Sequence, residues 1–112
     1  MAAARLLDHH CQREATRLSA DAMRELMPQL HADWSADEAQ SIRRSFRFKN
    51  YYQTIAFVNA LAWIAHQEDH HPDLEVGYNR CVVNLSTHSV GGLSENDFIC
   101  AARIDTLVPP SD

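Results

Sequence analysis

Hydrophobic residues spaced three and four apart predict three helices along the chain. Each helix begins after a residue whose side-chain oxygen can cap the free amides of a first turn, namely Ser19, Asn50 and Ser94. The first helix should end near residues 27–31, because Pro28 lacks an amide hydrogen. The second is the longest and is predicted to extend to about residue 68.

A second pattern, alternation of apolar and polar residues with a period of two, predicts strands at about residues 41–48 and 80–86. In the first strand, Ile42 and Phe46 share the apolar side, and the pattern gives no reason for Arg44 among them. Helices and non-adjacent strands in this order predict an α+β domain, in which helices cover one face of an antiparallel sheet.

Composition limits the class of partner. The chain has 112 residues, enough for one domain, and a formal net charge of -5. That charge opposes binding to nucleic-acid phosphates, and no apolar run approaches the ~20 residues of a membrane span. The three cysteines, Cys11, Cys81 and Cys100, form no CxxC pair, which is typical of unbridged thiols in a reducing compartment. We therefore expect a cytoplasmic protein that binds neither nucleic acid nor membrane.

The chain divides into a leader, a domain and a tail. Residues 1–17 have mixed polarity and are expected to be flexible or helical, whereas residues 18–108 form the folded domain. Pro109 and Pro110 should end ordered structure and leave residues 109–112 as a tail.

Three of the seven histidines fall at the ends of predicted elements: His70 and His71 follow the long helix, and His88 follows the second strand. A metal site is disfavoured, because adjacent histidine side chains seldom converge on one ion and no cysteine or carboxylate has a standard zinc spacing. Helix C-termini favour histidines through the helix dipole, and Asp97 could simply cap the last helix. The third interpretation is acid/base catalysis without a cofactor, since imidazole exchanges a proton near neutral pH.

The histidines belong to a longer pattern, which starts with H-Q-E-D-H-H-P from His66 to Pro72. It continues with Tyr78, Thr87-His88, Gly91-Gly92-Leu93-Ser94 and Asp97. This pattern resembles the pterin-4a-carbinolamine dehydratase family. In that family an acidic or similar residue stands four before H-H-P, an aromatic residue follows, and then come T-H, G-G-L-S/T and D at these spacings. The resemblance covers about residues 18 to 108.

The resemblance implies an α-β-β-α-β-β-α fold, in which helices pack on one face of a four-stranded antiparallel sheet. It adds a short strand at Trp34, and it implies assembly into homodimers or homotetramers. Whether Trp34 lines a pocket or fills the core stays open at this point, with the core as the default for a lone tryptophan.

The resemblance also implies an enzyme that dehydrates 4a-hydroxytetrahydropterin to quinonoid dihydropterin during tetrahydrobiopterin recycling, with no cofactor and no metal. An aromatic amino-acid hydroxylase would supply this pterin substrate. His70 and His88 would transfer protons, and His71 would orient the pterin. The remaining substrate contacts would come from Pro72, Thr87, Ser89 and Val90, and the supporting residues would be His66 and Asp97.

The chain departs from the family pattern at His66, where the family commonly has glutamate. A carboxylate there would hold positive charge on a neighbouring imidazole, whereas a protonated histidine would lower the pKa of that neighbour. The pH optimum is therefore open.

Two alternatives keep the fold and change the function. Some relatives are dimerisation cofactors for a transcription factor, which is a binding role carried by a helical surface. A pterin-binding protein of molybdenum-cofactor metabolism would keep the pocket with another ligand.

Overall fold

The computed structural model describes residues 5–37 and 40–109. Its helices and strands follow in the order α1 (Ala20–Leu26), β1 (Ser35–Asp37), β2 (Ser41–Arg47), α2 (Tyr51–Glu68), β3 (Asp73–Val76), β4 (Arg80–Leu85) and α3 (Glu95–Asp105). Short 3₁₀ turns lie at Leu6–Asp8, Met27–Gln29 and His88–Val90. The order is α-β-β-α-β-β-α, so the predicted fold class is confirmed.

The four strands form one antiparallel sheet in the order β1-β2-β4-β3. In the central pair, Phe46 lies opposite Cys81 and Ile42 lies opposite Leu85. These side chains, with Val83 between them, are almost completely buried in the core that the helices cover. Alternation along β2 therefore marks the core face correctly.

The three predicted caps are present at the starts of the three helices. The side chains of Ser19 and Asn50 accept hydrogen bonds from backbone amides of the first turns of α1 and α2. Ser94 and Asp97 form a capping box at the start of α3, where each side chain accepts from the backbone amide of the other residue.

The helix α2 ends at Glu68, because Asp69 adopts the left-handed conformation with φ 50°. His70 therefore lies beyond the helix and does not continue the helical side that carries His66. The chain turns sharply at Asp69, so His70 and His71 do not continue along the helix axis.

Arg44, the exception in the alternation of β2, forms an ion pair in the core. Its Nη1 donates to Oδ1 of Asp105 on α3 over 2.6 Å, and its guanidinium lies 4.2 Å from the ring centre of Phe46. The same Oδ1 accepts a hydrogen bond from Nε1 of Trp34 over 2.7 Å. Trp34 is thus a core residue that helps to hold α3 against the sheet.

Among the helices that the structure describes, none is long and apolar enough to cross a membrane.

Candidate active site

Three histidines from two separate segments line one cavity of about 400 Å³. His70 and His71 come from the turn after α2, and His88 comes from the 3₁₀ turn after β4. Pro72, Thr87 and Ser89 line the same cavity. The structure therefore brings together six of the predicted site residues around one space.

The turn after α2 points the two adjacent histidines in different directions. The amide of His70 donates to the carbonyl of Ala65 over 3.1 Å, which closes the last helical turn and directs the His70 side chain inward. Its side chain is only 12 % exposed, whereas His71 is exposed at the rim. Pro72 then restricts the backbone to an extended course into β3.

A tight loop positions His88. The amide of Thr87 donates to the carbonyl of Gly92 over 2.8 Å, and this bridge encloses the turn that carries His88. Gly91 adopts φ 65°, a left-handed conformation that costs glycine little, and the chain reverses there. His88 is consequently held at the rim with its ring exposed.

Asp97 connects the two histidine segments from inside the protein. Its Oδ1 lies 2.6 Å from Nε2 of His70, and its Oδ2 accepts from the hydroxyl of Thr87 over 2.8 Å and from the amide of Ser94 over 3.0 Å. The carboxylate is fully buried, so these partners replace the water that it loses. Asp97 therefore caps α3 and supports His70 with the same carboxylate.

The hydrogen bond with Asp97 raises the pKa of His70 above its usual value; burial opposes this effect, and the negative charge of Asp97 adds to it. An imidazolium is consequently favoured at this position. With Nε2 bound to Asp97, the nitrogen left for a ligand is Nδ1, which makes no hydrogen bond within the described part of the chain.

Three predicted site residues do not line the cavity, namely Asp97, which is buried behind His70, Val90 and His66. Val90 completes the 3₁₀ turn but does not line the space. His66 is exposed on α2, where its ring centre lies 5.9 Å from that of Trp63. The position at which the family commonly has glutamate is therefore exposed to solvent in this protein.

The leader supplies one wall of the cavity, and this wall was missed by sequence reasoning. Gln12, Arg13 and Ala15 line the same space as the three histidines. The described part of the leader, residues 5–17, contains little regular structure, with one 3₁₀ turn at Leu6–Asp8, but it lies against α2 and α3.

Two buried side chains hold the leader in place. Glu68 accepts from the amide of Cys11 over 2.8 Å and lies 2.9 Å from Nδ1 of His10. Asn96 accepts from the amide of Gln12 over 2.9 Å and donates to its carbonyl over 2.8 Å. Burial would raise the pKa of Glu68, but the hydrogen bonds from Cys11 and His10 and the charge of Arg103 outweigh it, so this pKa is lowered.

A signal for Glu68 is present in the sequence. It continues the buried stripe of α2 from Leu61 and Ala65 at spacings of four and three, so a carboxylate stands where an apolar residue is expected. A buried carboxylate needs a partner, and that requirement would have indicated a contact with another part of the chain.

A larger cleft of about 810 Å³ lies elsewhere, lined by apolar residues such as Leu6, Leu30 and Val108. It holds none of the three predicted histidines, so the chemistry favours the smaller cavity. Within residues 5–37 and 40–109, no three histidine, cysteine or carboxylate side chains are arranged to hold a metal ion.

Comparison with known sequences gives a family and close relatives. The family described as Pterin 4 alpha carbinolamine dehydratase matches residues 16–107. A protein of Nitrosospira multiformis, provisionally named pterin-4-alpha-carbinolamine dehydratase, is 59% identical over 97 residues, which are 87% of this chain and 84% of the relative. A protein of Stenotrophomonas maltophilia with the same provisional name is 60% identical over 91 residues, 81% of this chain and 78% of the relative.

Two solved structures are similar in fold. A transcriptional coactivator/pterin dehydratase from Brucella melitensis has a TM-score of 0.78 and 34% identity, over 84% of this chain and 100% of that one. A pterin dehydratase-like protein identified as a RuBisCO assembly factor in the alpha-carboxysome has a TM-score of 0.61 and 29% identity, over 72% and 95% of the two chains.

Proposed function

The chain belongs to the pterin-4-alpha-carbinolamine dehydratase family, and on that premise we propose that it dehydrates 4a-hydroxytetrahydropterin to quinonoid dihydropterin. The observation that carries the proposal is the convergence of His70, His71 and His88 on one cavity, with the buried Asp97 behind His70. Such a product would return to tetrahydropterin, so the reaction would serve recycling of a pterin that an aromatic amino-acid hydroxylase has oxidised.

The chemistry needs one proton donor and one proton acceptor. Loss of the 4a-hydroxyl requires a proton on the leaving oxygen, while the N5 lone pair forms the new C4a–N5 π bond and a proton leaves the ring system. We assign the donor role to His70, because the raised pKa favours its imidazolium form. His88, on the other segment of the rim, accepts the ring proton, and His71 orients the pterin.

Each positioned proton transfer typically contributes roughly 10²–10⁴-fold to a rate. A spectroscopic assay of carbinolamine dehydration therefore tests the proposal directly. We expect His70→Ala and His88→Ala each to lose at least about 100-fold in kcat. The matched control is His31→Gln, a histidine beside the larger cleft, which should retain activity.

Two results would contradict the assignment. Near-normal turnover in His88→Ala would remove that residue from the mechanism. A wild-type protein that binds pterin tightly without turning it over would favour the pterin-binding alternative instead.

A binding function is the second candidate, and an exposed surface favours it. Tyr52 and Trp63 on α2 are 82% and 61% exposed, which is unusual for large aromatic side chains. The Brucella relative is described as a coactivator as well as a dehydratase. If partner binding is the function, it should survive replacement of all three histidines, whereas Tyr52→Ala with Trp63→Ala should abolish it.

The same surface is available for self-association, and we propose a homodimer or homotetramer. Val76 on the edge strand β3 is a further apolar side chain that is 43% exposed. Light scattering at micromolar concentration should give a mass of two or four chains. A single-chain mass at that concentration would contradict the proposed assembly.

A further inference from the structure

Two cysteines meet where the leader crosses α3, beside the candidate active site. Sγ of Cys11 lies 3.5 Å from the carbonyl oxygen of Asn96. In an α-helix this carbonyl accepts from the amide four residues later, which is that of Cys100. The Cys11 sulfur therefore lies at the turn of α3 that the amide of Cys100 closes, and Sγ of Cys100 itself lies 3.5 Å from the carbonyl oxygen of His70.

The two thiols interact with each other. The neighbouring Cys100 thiol raises the pKa of Cys11, with burial adding to the effect, and the Cys11 thiol lowers the pKa of Cys100. The positive charge favoured on His70 acts in the same direction on Cys100. One sulfur of the pair is thus the better thiolate, and the other keeps its proton.

Hydrogen bonds fix the backbone at Cys11 and at the residue that follows it. The amide of Cys11 is bound by Glu68, and the next residue, Gln12, is bound at its amide and its carbonyl by Asn96. Cys100 is fully buried in α3, whereas Cys11 is only partly buried and gives a small oxidant access to the pair.

We propose that Cys11 and Cys100 are a redox-active pair that a peroxide converts to an intrachain disulfide, which fastens the leader to α3 at the wall of the cavity. The thiolate attacks one peroxide oxygen, the O–O bond breaks and water leaves after protonation, giving a sulfenic acid. The second thiol displaces hydroxide from that sulfur, and the S–S bond forms with release of a second water. The two thiols lose two electrons and two protons, and the peroxide is reduced to two waters.

The consequence is a covalent bond between the leader and the domain. Gln12 and Arg13, which line the cavity, follow Cys11 directly, so the cross-link would fasten this wall of the cavity to α3. The bond also closes a loop from residue 11 to residue 100, and long loops give the largest stabilisation by a cross-link.

The experiment treats the full-length protein with one equivalent of hydrogen peroxide and measures free thiols, mass and the melting temperature. We expect free thiols to fall from three to one, a mass lower by two hydrogens, and a melting temperature higher by on the order of 10 °C. A reducing agent should reverse all three changes.

Variants identify the sulfurs involved. Cys81→Ala should respond as the wild type does, and Cys11→Ser should give neither the thiol loss nor the rise in melting temperature. In Cys81→Ala, trypsin cuts after arginines, so the disulfide should join the peptides 6–13 and 81–103. These readouts are independent of dehydratase activity, and failure of the proposed function would leave them unchanged.

Three results would overturn the proposal. They are peroxide-dependent sulfonic acids in place of a disulfide, a cross-link between two chains, or a bond that survives in Cys11→Ser.

Discussion

The helix α3 carries two aspartates at its opposite ends, and each binds a basic side chain of another element over 2.6 Å. Asp97, in the first turn, holds His70 at the cavity. Asp105, the last residue of the helix, holds Arg44 in the core and also accepts from Trp34. The two pairs have the same length, and they differ in whether the basic partner can lose its proton.

The partner of Asp105 keeps its charge throughout the physiological range, because a guanidinium does not lose its proton in proteins. The partner of Asp97 changes charge near neutral pH, and its second ring nitrogen is left for a ligand. A permanently charged pair is suited to the packing of a helix on a sheet, whereas a titrating pair is suited to the proton transfer that we propose for His70. The comparison predicts that stability depends on one end of α3 and turnover on the other.

Replacing Asp105 with alanine should give the largest change in stability. Arg44 would remain buried with its charge unpaired, and its Nε already lacks a hydrogen-bond partner within the described residues. Breaking a buried pair from one side costs about 3–5 kcal/mol in the free energy of unfolding. Urea denaturation measures this loss, and kcat per folded molecule should stay near the wild-type value.

The double variant Arg44→Met with Asp105→Ala is the matched control. It removes both charges and keeps apolar volume beside Phe46, so it should recover the part of the stability that the unpaired charge costs. The hydrogen bonds of Asp105 with Trp34 and with the amide of His31 are lost in both variants. If the single and double variants unfold at the same urea concentration, the unpaired charge is not the cause of the loss.

Replacing Asp97 with asparagine should reduce kcat by about 100-fold, which is the lower end for a positioned proton transfer. The amide is similar in size and can keep one contact with Thr87 or Ser94, but it does not stabilise an imidazolium on His70. The pH profile separates positioning from a general structural defect. The alkaline limb of kcat should move to lower pH, since the raised pKa of His70 depends on the carboxylate.

An unchanged pH profile with a lower kcat would contradict this role for Asp97. In that case the carboxylate would serve α3 as a cap and would not act through His70.

The pH dependence of stability should distinguish the two ends of α3 further. Because the folded protein raises the pKa of His70, the pair with Asp97 stabilises fully below the unfolded value of about 6.5 and loses this contribution as pH rises through the higher, folded value. The stability difference between the wild type and Asp97→Asn should therefore shrink from pH 5.5 to 8.5. The corresponding difference for Asp105→Ala should stay constant, and a parallel decline in both would contradict the distinction.

Much of this arrangement was accessible from the sequence, because it is encoded locally. The caps at Asn50 and Ser94 fix the starts of two helices, and the H-H-P spacing places two histidines at a helix end. The alternation in β2 identifies the core face even with Arg44 in it. Each of these signals involves residues within a few positions of one another.

The edge strands and the position of the leader could not be predicted from local residue patterns, because they depend on contacts between distant segments. Residue patterns did not indicate β1 or β3, because β1 is exposed throughout and β3 is exposed except at Leu74, so neither shows clear alternation. The position of the leader depends on Glu68 and Asn96, which lie more than fifty residues from the backbone that they bind. No local periodicity reports such a pairing.

The smallest predicted effect concerns His66, four residues before His70, where the family commonly has glutamate. We expect His66→Glu to change kcat and its pH profile by less than about twofold, because interactions between exposed charges are screened and weak. Asp97 already supplies a carboxylate in direct contact with His70, and an exposed one on α2 adds little to it. A gain of tenfold or a clear shift of the alkaline limb would mean that a charge at position 66 reaches the cavity and acts on the pKa of His70 together with Asp97.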